Sequence, residues 1–585
     1  MGVAMRIVEL RVRIHAGAAG GVFFFMSYLD RPRLHFFGQF TANPSTINNT
    51  PANYGMPLPY TNQSVPGQNP PPGFTNWNQN GRHNFSLDNC AVTSLVMDGD
   101  PGPVSGTVNA SQAGVLVDLD TQQQLVSQII GMQLTVTVGD GSVTGTFMAN
   151  NFVDINFGRI TGSNDNAQGD GAAGAAYQSV LTDLVWNEGS SKFLQTLKSV
   201  SSSMLSIRMN VDAHHGIFGQ PEFTTGRVAG TIGPYFADEP LTFTNARFLR
   251  VTTAAYAQGW NAVPARYDAQ RAKLIVDLGN ATPWTWSEGA AAPTSAVTSV
   301  QVATIAFTAP NLNVADTIPT AVDTSDAAYQ LNAFVQELDV PESMAQAVAS
   351  TPLGIVSDGN ILITENPTGA YVNAEPYVFR LNPGDSPQVT LWANTFQTPA
   401  ASVLIALSAQ NTQLINQQSG GPAPATLPGC SFPQSVTTDA NGKATFTISA
   451  TDPQNPRGPI PGQVYGIGWT WDLDLLPDQW NFISVKVFDA VPVPDQPTWW
   501  NDVYPILAQY AYLYPAMQAM FNLNDYDAVV KNATEIIARL NLPDDSPGQM
   551  PITRELSASQ KAIILKWAGD PAHPAGGLPV PPATP

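Results

Sequence analysis

Five side chains in this sequence could bind a metal or transfer a proton: His35, His83, Asp212, His214 and His215. Imidazole nitrogens and carboxylate oxygens are common ligands of transition metals, and imidazole also acts as a general acid or base near neutral pH. We assign catalysis to His35 and His83, and metal binding to His214 and His215 together with Asp212. A transition metal or a haem would suit these ligands. The competing interpretation is that each histidine is hydrogen-bonded and anchors a loop.

Strands are expected to position these histidines. His35 lies in the segment RPRLHFFGQF (31–40), whose phenylalanines favour a strand and whose Gly38 predicts a bulge. His83 stands before an alternating apolar run, and His214 and His215 follow the alternating segment SIRMNVD (206–212). We therefore expect the strands to bring the imidazoles of His35 and His83 to a shared rim, with polar loops controlling access.

A long loop is the second candidate site. Residues 50–80 are rich in Pro, Asn, Gln and Gly and show no periodicity, which is typical of a functional loop. They include Tyr54, Tyr60, Phe74 and Trp77. Flat aromatic faces of this kind could stack on a sugar or an indole ring. The alternative is that they pin the loop to the body of the protein.

Composition restricts the classes of function. The chain has 585 residues and a formal net charge of -20, with only 12% charged residues. Proteins that bind nucleic-acid phosphates need clustered lysine and arginine, which this sequence lacks, so we expect no nucleic-acid partner. No apolar run approaches the roughly 20 residues that cross a bilayer, so we expect no transmembrane segment. A small molecule, a protein partner and self-association stay open.

Common cofactor and redox motifs are incomplete. Cys90 and Cys430 fit no metal or redox spacing, and buried free thiols are favoured over a long-range disulfide. The segment Gly169–Gly174 matches G-x-G-x-x-G before an expected helix. A polar loop precedes it where a dinucleotide site requires a buried strand, so we expect no nucleotide cofactor.

Length and patterning predict a mainly β protein of about three or four packed units. Short alternating runs joined by turn signals indicate β-sandwich or barrel-like units, including an Ig-like sandwich. The expected units are a disordered leader (1–26), a β-rich domain with two covering helices within 172–202 (27–240), a second β-rich domain that weakly echoes the first (241–375), an Ig-like β-sandwich (376–492), a small helical unit (499–570) and a loose Pro-rich tail (571–585).

Short sequence signals occur near both ends of the chain. Ser557 and Gln560 have the spacing of a helix capping box, and Pro515 should interrupt a helix near Leu513. Residues 1–26 lack a convincing signal peptide, which favours the cytoplasm, whereas the neutral polar composition also suits an extracellular protein.

Several segments in combination resemble a known family. They are RPRLHFFGQF (31–40), NQNGRHNF (78–85), LVDLDTQQQLVSQI (116–129), YQSVL (177–181), SIRMNVD (206–212), TTGRVAGTIGP (224–234) and MPITRELSASQKAIILKW (550–567). Together they resemble the N-terminal region of the VioB-type iminophenylpyruvate dimer synthases of violacein and bisindole biosynthesis. The resemblance is strongest over about residues 27–250. His35 and His83 fall at matching positions, and we extend the match to neither His214 nor His215.

The resemblance implies a diverged enzyme or an accessory factor in amino-acid-derived, indole-type secondary metabolism. Members of that family continue into a ferritin-like region, and this chain stops where that region would begin. A ferritin-like site needs Glu-x-x-His pairs, which the sequence lacks. What the resemblance implies most directly is therefore the β-rich platform. The alternative is a non-catalytic binding or structural protein, exported or not, that recognises a glycan or a protein partner.

Overall fold

The structure is a computed structural model. It describes residues 27–43, 83–120, 123–162, 169–201, 203–215, 221–308, 311–410, 429–456, 461–473, 482–513, 517 and 520–577. The described part is mainly β, with several curled sheets and a small helical unit near the C-terminus. The expected fold class is confirmed.

The described residues of the first unit include thirteen strands, most of which form one curled sheet. They are β1 (Arg33–Asn43), β2 (Asn84–Val96), β3 (Val108–Gln112), β4 (Gly114–Asp120), β5 (Gln123–Ile130), β6 (Gln133–Val138), β7 (Gly141–Phe147), β8 (Asn150–Asn151), β9 (Val153–Asn156), β10 (Ile160–Gly162), β11 (Gly174–Asn187), β12 (Leu205–Asp212) and β13 (Thr225–Pro234).

Strands of this unit close into a barrel. Their order is β3-β6-β7-β11-β12-β13-β1-β2. The ring closes where Ala91 of β2 bridges Thr107, just before β3, and Val92 N–H donates to the Gly106 carbonyl oxygen at 3.0 Å. Alternate residues of β1 point inward, so Leu34 and Phe36 lie fully buried in the barrel core. The other end of β2 pairs with β4, and the sheet continues through β5 and β8.

One predicted helix is a strand. Residues 174–187 form β11, which pairs with β12 and β7, and only the second predicted helix exists, as α1 (Lys192–Val200). The first half of β11 is buried on both faces, so apolar residues occupy nearly every position and imitate a helical stripe. Gly169–Gly174 therefore leads into a strand and not into a helix. Helix α1 inserts Phe193, Leu194 and Leu197 into the barrel core.

The described elements of the second unit are β14 (Arg247–Val251), α2 (Thr253–Tyr256), β15 (Val263–Asp268), β16 (Lys273–Asp277), β17 (Trp284–Trp286), β18 (Thr294–Ser295), β19 (Ser299–Thr308), β20 (Asn311–Thr317), β21 (Val322–Asp323), α3 (Asp326–Asn332), β22 (Val335–Asp339), α4 (Glu342–Ser350), β23 (Leu353–Ser357) and β24 (Asn360–Glu365). Nine of these strands form one sheet of order β20-β19-β23-β24-β14-β15-β16-β22, in which β21 also pairs with β19. A short sheet of β10, β17 and β18 joins the second unit to the first.

The third unit is a two-sheet sandwich. One sheet contains β25-β27-β28 with β32, and the other runs β26-β35-β34-β29-β31 with β26 parallel to β35. Its strands are β25 (Ala370–Glu375), β26 (Val378–Leu381), β27 (Gln388–Thr395), β28 (Thr398–Pro399), β29 (Leu404–Ala409), β30 (Cys430–Ser431), β31 (Ser435–Thr437), β32 (Lys443–Thr447), β33 (Ser449–Ala450), β34 (Gln463–Thr470) and β35 (Ile483–Val487). Strand β25, expected in the second unit, pairs with β27 and so belongs to the sandwich.

The helical unit begins with a π-helical turn, Trp499–Val503. Its α-helices are α5 (Tyr504–Leu513), α6 (Tyr526–Lys531), α7 (Ala533–Leu540) and α8 (Ala558–Ala568). The capping box of Ser557 and Gln560 is confirmed. In the described part of the chain, no helix is both long and apolar enough to cross a membrane.

The described part of the tail is not loose. Trp499 N–H and Trp567 Nε1–H both donate to the Pro574 carbonyl oxygen, at 2.8 and 3.0 Å. Tyr526 O–H donates to the His573 carbonyl oxygen at 2.6 Å. Residues 571–577 therefore lie against the helical unit, because two aromatic side chains and one backbone N–H of that unit donate hydrogen bonds to carbonyl oxygens of the segment. The leader (1–26) and residues 578–585 lie outside the described residues.

Candidate functional site

His35 lies on the outer face of the barrel, where the second unit packs against it. Its side chain is 1% exposed, and Nδ1 is hydrogen-bonded to Thr231 Oγ1 of the neighbouring strand at 2.8 Å. Nε2 has no hydrogen-bond partner among the described residues. Burial, and then the positive charge of Arg33, hold the pKa of His35 well below its usual value. The imidazole is therefore neutral and enclosed.

His83 lies at the start of β2 and is also buried. Its backbone is left-handed, with φ of 53°. Nδ1–H donates to the Leu116 carbonyl oxygen at 3.2 Å, and Leu116 N–H donates to the His83 carbonyl oxygen at 2.6 Å. Burial lowers the pKa of His83 to about 4. This histidine anchors the end of β2 to β4.

The two histidines do not share a rim. In the antiparallel pairing of β1 with β2, His35 lies opposite Ser94, whereas Asn43 lies opposite Asn84, one residue after His83. At about 3.4 Å per residue, eight or nine residues of extended strand separate the rings by roughly 27–30 Å. The expected convergence of His35 and His83 is therefore wrong.

Asp212 belongs to a buried ion-pair arrangement. Its carboxylate accepts from Arg227 Nε at 2.7 Å and from the Tyr329 hydroxyl at 3.2 Å. Arg159 Nη1 lies 3.5 Å away. Two guanidinium groups and a hydroxyl therefore surround the carboxylate, which is paired with protein side chains.

His214 and His215 point to different neighbours. The His214 ring stacks on Phe40 at 6.0 Å between centroids, and its Nε2 lies 3.3 Å from the Ala42 carbonyl oxygen. The His215 ring meets Trp286 edge to face at 5.2 Å. Burial lowers the pKa of His215. The structure does not bring these rings together with Asp212, and the described residues contain no group of three His, Cys, Asp or Glu side chains able to hold a metal ion.

The buried charges between the first and second units were not foreseen from the sequence. Arg208 Nε lies 2.6 Å from Asp277 Oδ2, which also accepts from the Tyr28 hydroxyl at 2.8 Å. The guanidinium of Arg227 lies over the Trp284 ring at 4.3 Å. We call Arg159, Arg208, Arg227, Asp212 and Asp277 the interface network; all five side chains are at most 14% exposed.

A signal for the interface network exists in SIRMNVD. Ile207, Met209 and Val211 alternate with polar residues, which usually indicates one face in the core and one in water. Every residue of β12 is buried, because the polar face meets the second unit. Arginine and aspartate on a buried face must pair, and an alternating pattern does not distinguish solvent from a polar interface.

A small cleft lies at the edge of the same interface, and its charges are compensated. Arg31 pairs with Asp98 at 2.9 Å, and Arg271 pairs with Asp268 at 2.8 Å. Although burial raises the pKa of Glu337, the arginines at positions 31 and 33 lower it to about 2 overall. The cleft is lined by Leu29, Asp30, Arg31, Arg266, Asp268, Arg271, Lys273, Ile275 and Glu337.

The aromatic residues of the 50–80 loop and the two cysteines are the remaining candidates from the sequence. Tyr54, Tyr60, Phe74 and Trp77 lie outside the described residues. Both cysteines are free thiols, as expected, and burial raises the pKa of each to about 12. Neither thiol is activated as a nucleophile.

Comparisons with known proteins identify no family. No protein-family model matches the chain, and no curated protein matches its sequence. Solved structures that align include elastase-activated alpha-2-macroglobulin from Escherichia coli, at 10% identity and a TM-score of 0.13, covering 72% of this chain and 38% of that one. The S-layer protein rSbsC(31-844) aligns at 9% identity and a TM-score of 0.14, covering 71% of this chain and 54% of that one. Alignments this loose support no argument about fold or function.

Proposed function

We propose that this protein is a non-catalytic structural or binding protein, in which the residues that could do chemistry hold the units together. The proposal depends mainly on the position of His35. Its imidazole is neutral, 1% exposed and enclosed between the barrel and the second unit. Asp212 is enclosed at the same interface by two arginines and a tyrosine.

The resembling segments support the same proposal. Arg33 and His35 of RPRLHFFGQF, Arg208 and Asp212 of SIRMNVD, and Arg227 of TTGRVAGTIGP all lie on the barrel face that meets the second unit. A shared need to pack the barrel against its neighbour would account for the resemblance in these segments without any shared reaction. The resemblance to VioB-type proteins then concerns the platform.

Asp212→Asn tests the structural role. It leaves Arg159 and Arg227 buried beside a neutral amide, and the loss of one partner from a buried ion pair costs about 3–5 kcal/mol. We expect a loss of that size in the free energy of unfolding, measured by urea denaturation. Asp98 also pairs with two arginines, Arg31 and Arg271, but its carboxylate is 62% exposed. Asp98→Asn is therefore the matched control and should cost less than about 1 kcal/mol.

Elemental analysis, an absorption spectrum and an imine-coupling assay complete the test. We expect no stoichiometric metal or haem and no turnover of an indole-type imine. The second candidate, a diverged enzyme or accessory factor of indole-type metabolism, depends on the resemblance. Turnover or a bound metal lost in His83→Ala, with the unfolding free energy retained, would establish it and overturn our proposal.

A further inference from the structure

A buried lysine and a buried aspartate meet where the first unit packs on the sandwich. Lys486 Nζ of β35 lies 2.8 Å from Asp120 Oδ2 of β4. The two side chains are 1% and 0% exposed. The ion pair thus joins the first unit to the sandwich, and it lies away from the interface network.

Local strand geometry directs both side chains to this point. Val485 and Val487 point into the sandwich core, so Lys486 between them points out toward the first unit. On the facing strand, Leu119 packs with Val464 and Phe482 of the sandwich in an apolar cluster beside the pair. Water is therefore excluded from the amine and the carboxylate.

Neighbouring polar groups fix the strand that carries Asp120. Arg380 Nη2–H donates to the Asp118 carbonyl oxygen at 2.7 Å, and Arg380 Nη1–H donates to Gln128 Oε1 at 2.5 Å. Burial raises the pKa of the Asp118 carboxyl, two residues from Asp120, to about 7.

We propose that Lys486 and Asp120 condense spontaneously into an isopeptide bond that cross-links the first unit to the sandwich. Within the pair, one proton passes from the ammonium to the carboxylate, which gives an amine and a carboxylic acid. Nζ then attacks Cγ, the bond from Cγ to one carboxyl oxygen breaks, and that oxygen leaves as water with the second amine proton. The product is a secondary amide, and no oxidant, reductant or further reactant is required.

The desolvation cost of the buried charges and the proximity of the reacting atoms both favour this step. A buried ion pair retains a desolvation cost of several kcal/mol per ion, and the amide removes both charges. The 2.8 Å contact also places the amine near the carboxyl carbon, close to the roughly 3–3.5 Å separation of a near-attack conformer.

The intact mass of the denatured, purified full-length protein tests the cross-link. We expect a mass lower than that of the unmodified chain by one water. Trypsin cannot cleave after an acylated lysine, so the digest should contain peptide 83–159 joined to peptide 458–531 through Asp120 and Lys486. The linked chain should also migrate faster than the unlinked chain on a denaturing gel, because it encloses a large covalent loop.

Variants assign the mass loss to these two residues. Lys486→Met and Asp120→Ala should each have the full calculated mass, whereas Lys273→Met should keep the deficit. Lys273 is the matched control, because it pairs with Asp339 at 2.6 Å but the carboxylate is 81% exposed. A wild-type chain of full mass with separate peptides, both fresh and after prolonged incubation at neutral pH, overturns the proposal even if the variants fail to fold. A mass deficit that persists in Lys486→Met overturns it as well. The cross-link is independent of the proposed non-catalytic role.

Discussion

The protonation of His35 and His83 is decided by burial. Each ring makes a hydrogen bond to the protein, His35 with Thr231 and His83 with the Leu116 carbonyl oxygen. For both histidines, burial is the largest influence on the pKa and lowers it. An imidazole in a low-dielectric site stays neutral at neutral pH, so each ring stabilises the fold only while it is uncharged.

His83→Gln should alter the pH dependence of stability. The pKa of His83 falls from 6.5 to about 4 on folding, so its contribution is fully present above about pH 6.5 and is lost as the pH falls toward 4. The wild type should lose roughly 2–3 kcal/mol more than the variant over this range. Urea denaturation at several pH values measures the difference, and parallel curves for the two proteins would contradict the prediction.

The start of α8 follows the capping preference of its own sequence, because that preference acts between residues three positions apart. Ser557 Oγ accepts from Gln560 N–H at 3.1 Å, and Gln560 Oε1 accepts from Ser557 N–H at 3.2 Å. This closes the capping box that the spacing predicts. Strand β11 is the contrary case, because its neighbours β7 and β12 decide its conformation.

Ser557→Ala should destabilise the helical unit by about 1 kcal/mol, because the side-chain acceptor for the first helical turn is lost. Amide hydrogen exchange in α8, measured at increasing urea concentrations, reports on this unit. Ser559→Ala, a serine inside the same helix, is the matched control and should change stability little. Equal effects of the two substitutions would show that the cap is unimportant.

Buried polar contacts join the units. The sandwich presents a two-residue hairpin turn, Phe396 and Gln397, with φ of 48° and 62°. The Gln397 side chain accepts from Tyr267 N–H at 2.9 Å and donates to the Tyr267 carbonyl oxygen at 2.8 Å. The amide thus pairs with the backbone of β15 as another strand would, and it fixes the sandwich on the second unit.

Gln397→Ala should loosen this contact, because both backbone groups of Tyr267 lose their partner at a cost of about 1–3 kcal/mol. Hydrogen exchange should accelerate at Tyr267 and in the hairpin, with little change in the barrel. Gln388→Ala, at an exposed position on β27, is the control. Unchanged exchange at Tyr267 would show that other contacts hold the sandwich.

Amino-acid patterns by themselves determined the fold class, the sandwich, most strands, the capping box and the free thiols, because period-two alternation, turn residues and capping spacings act over a few residues. Only the tertiary structure decided that β11 is a strand and that β25 pairs within the sandwich. It also decided that residues 571–577 accept hydrogen bonds from Trp499, Tyr526 and Trp567. The tertiary structure also decided which of the candidate residues lie close together. Contacts between residues far apart in the chain decide whether the polar face of β1 or β12 meets water or another unit. The pairing of β1 with β2 separates His35 from His83, and the packing of the second unit surrounds Asp212 with arginines.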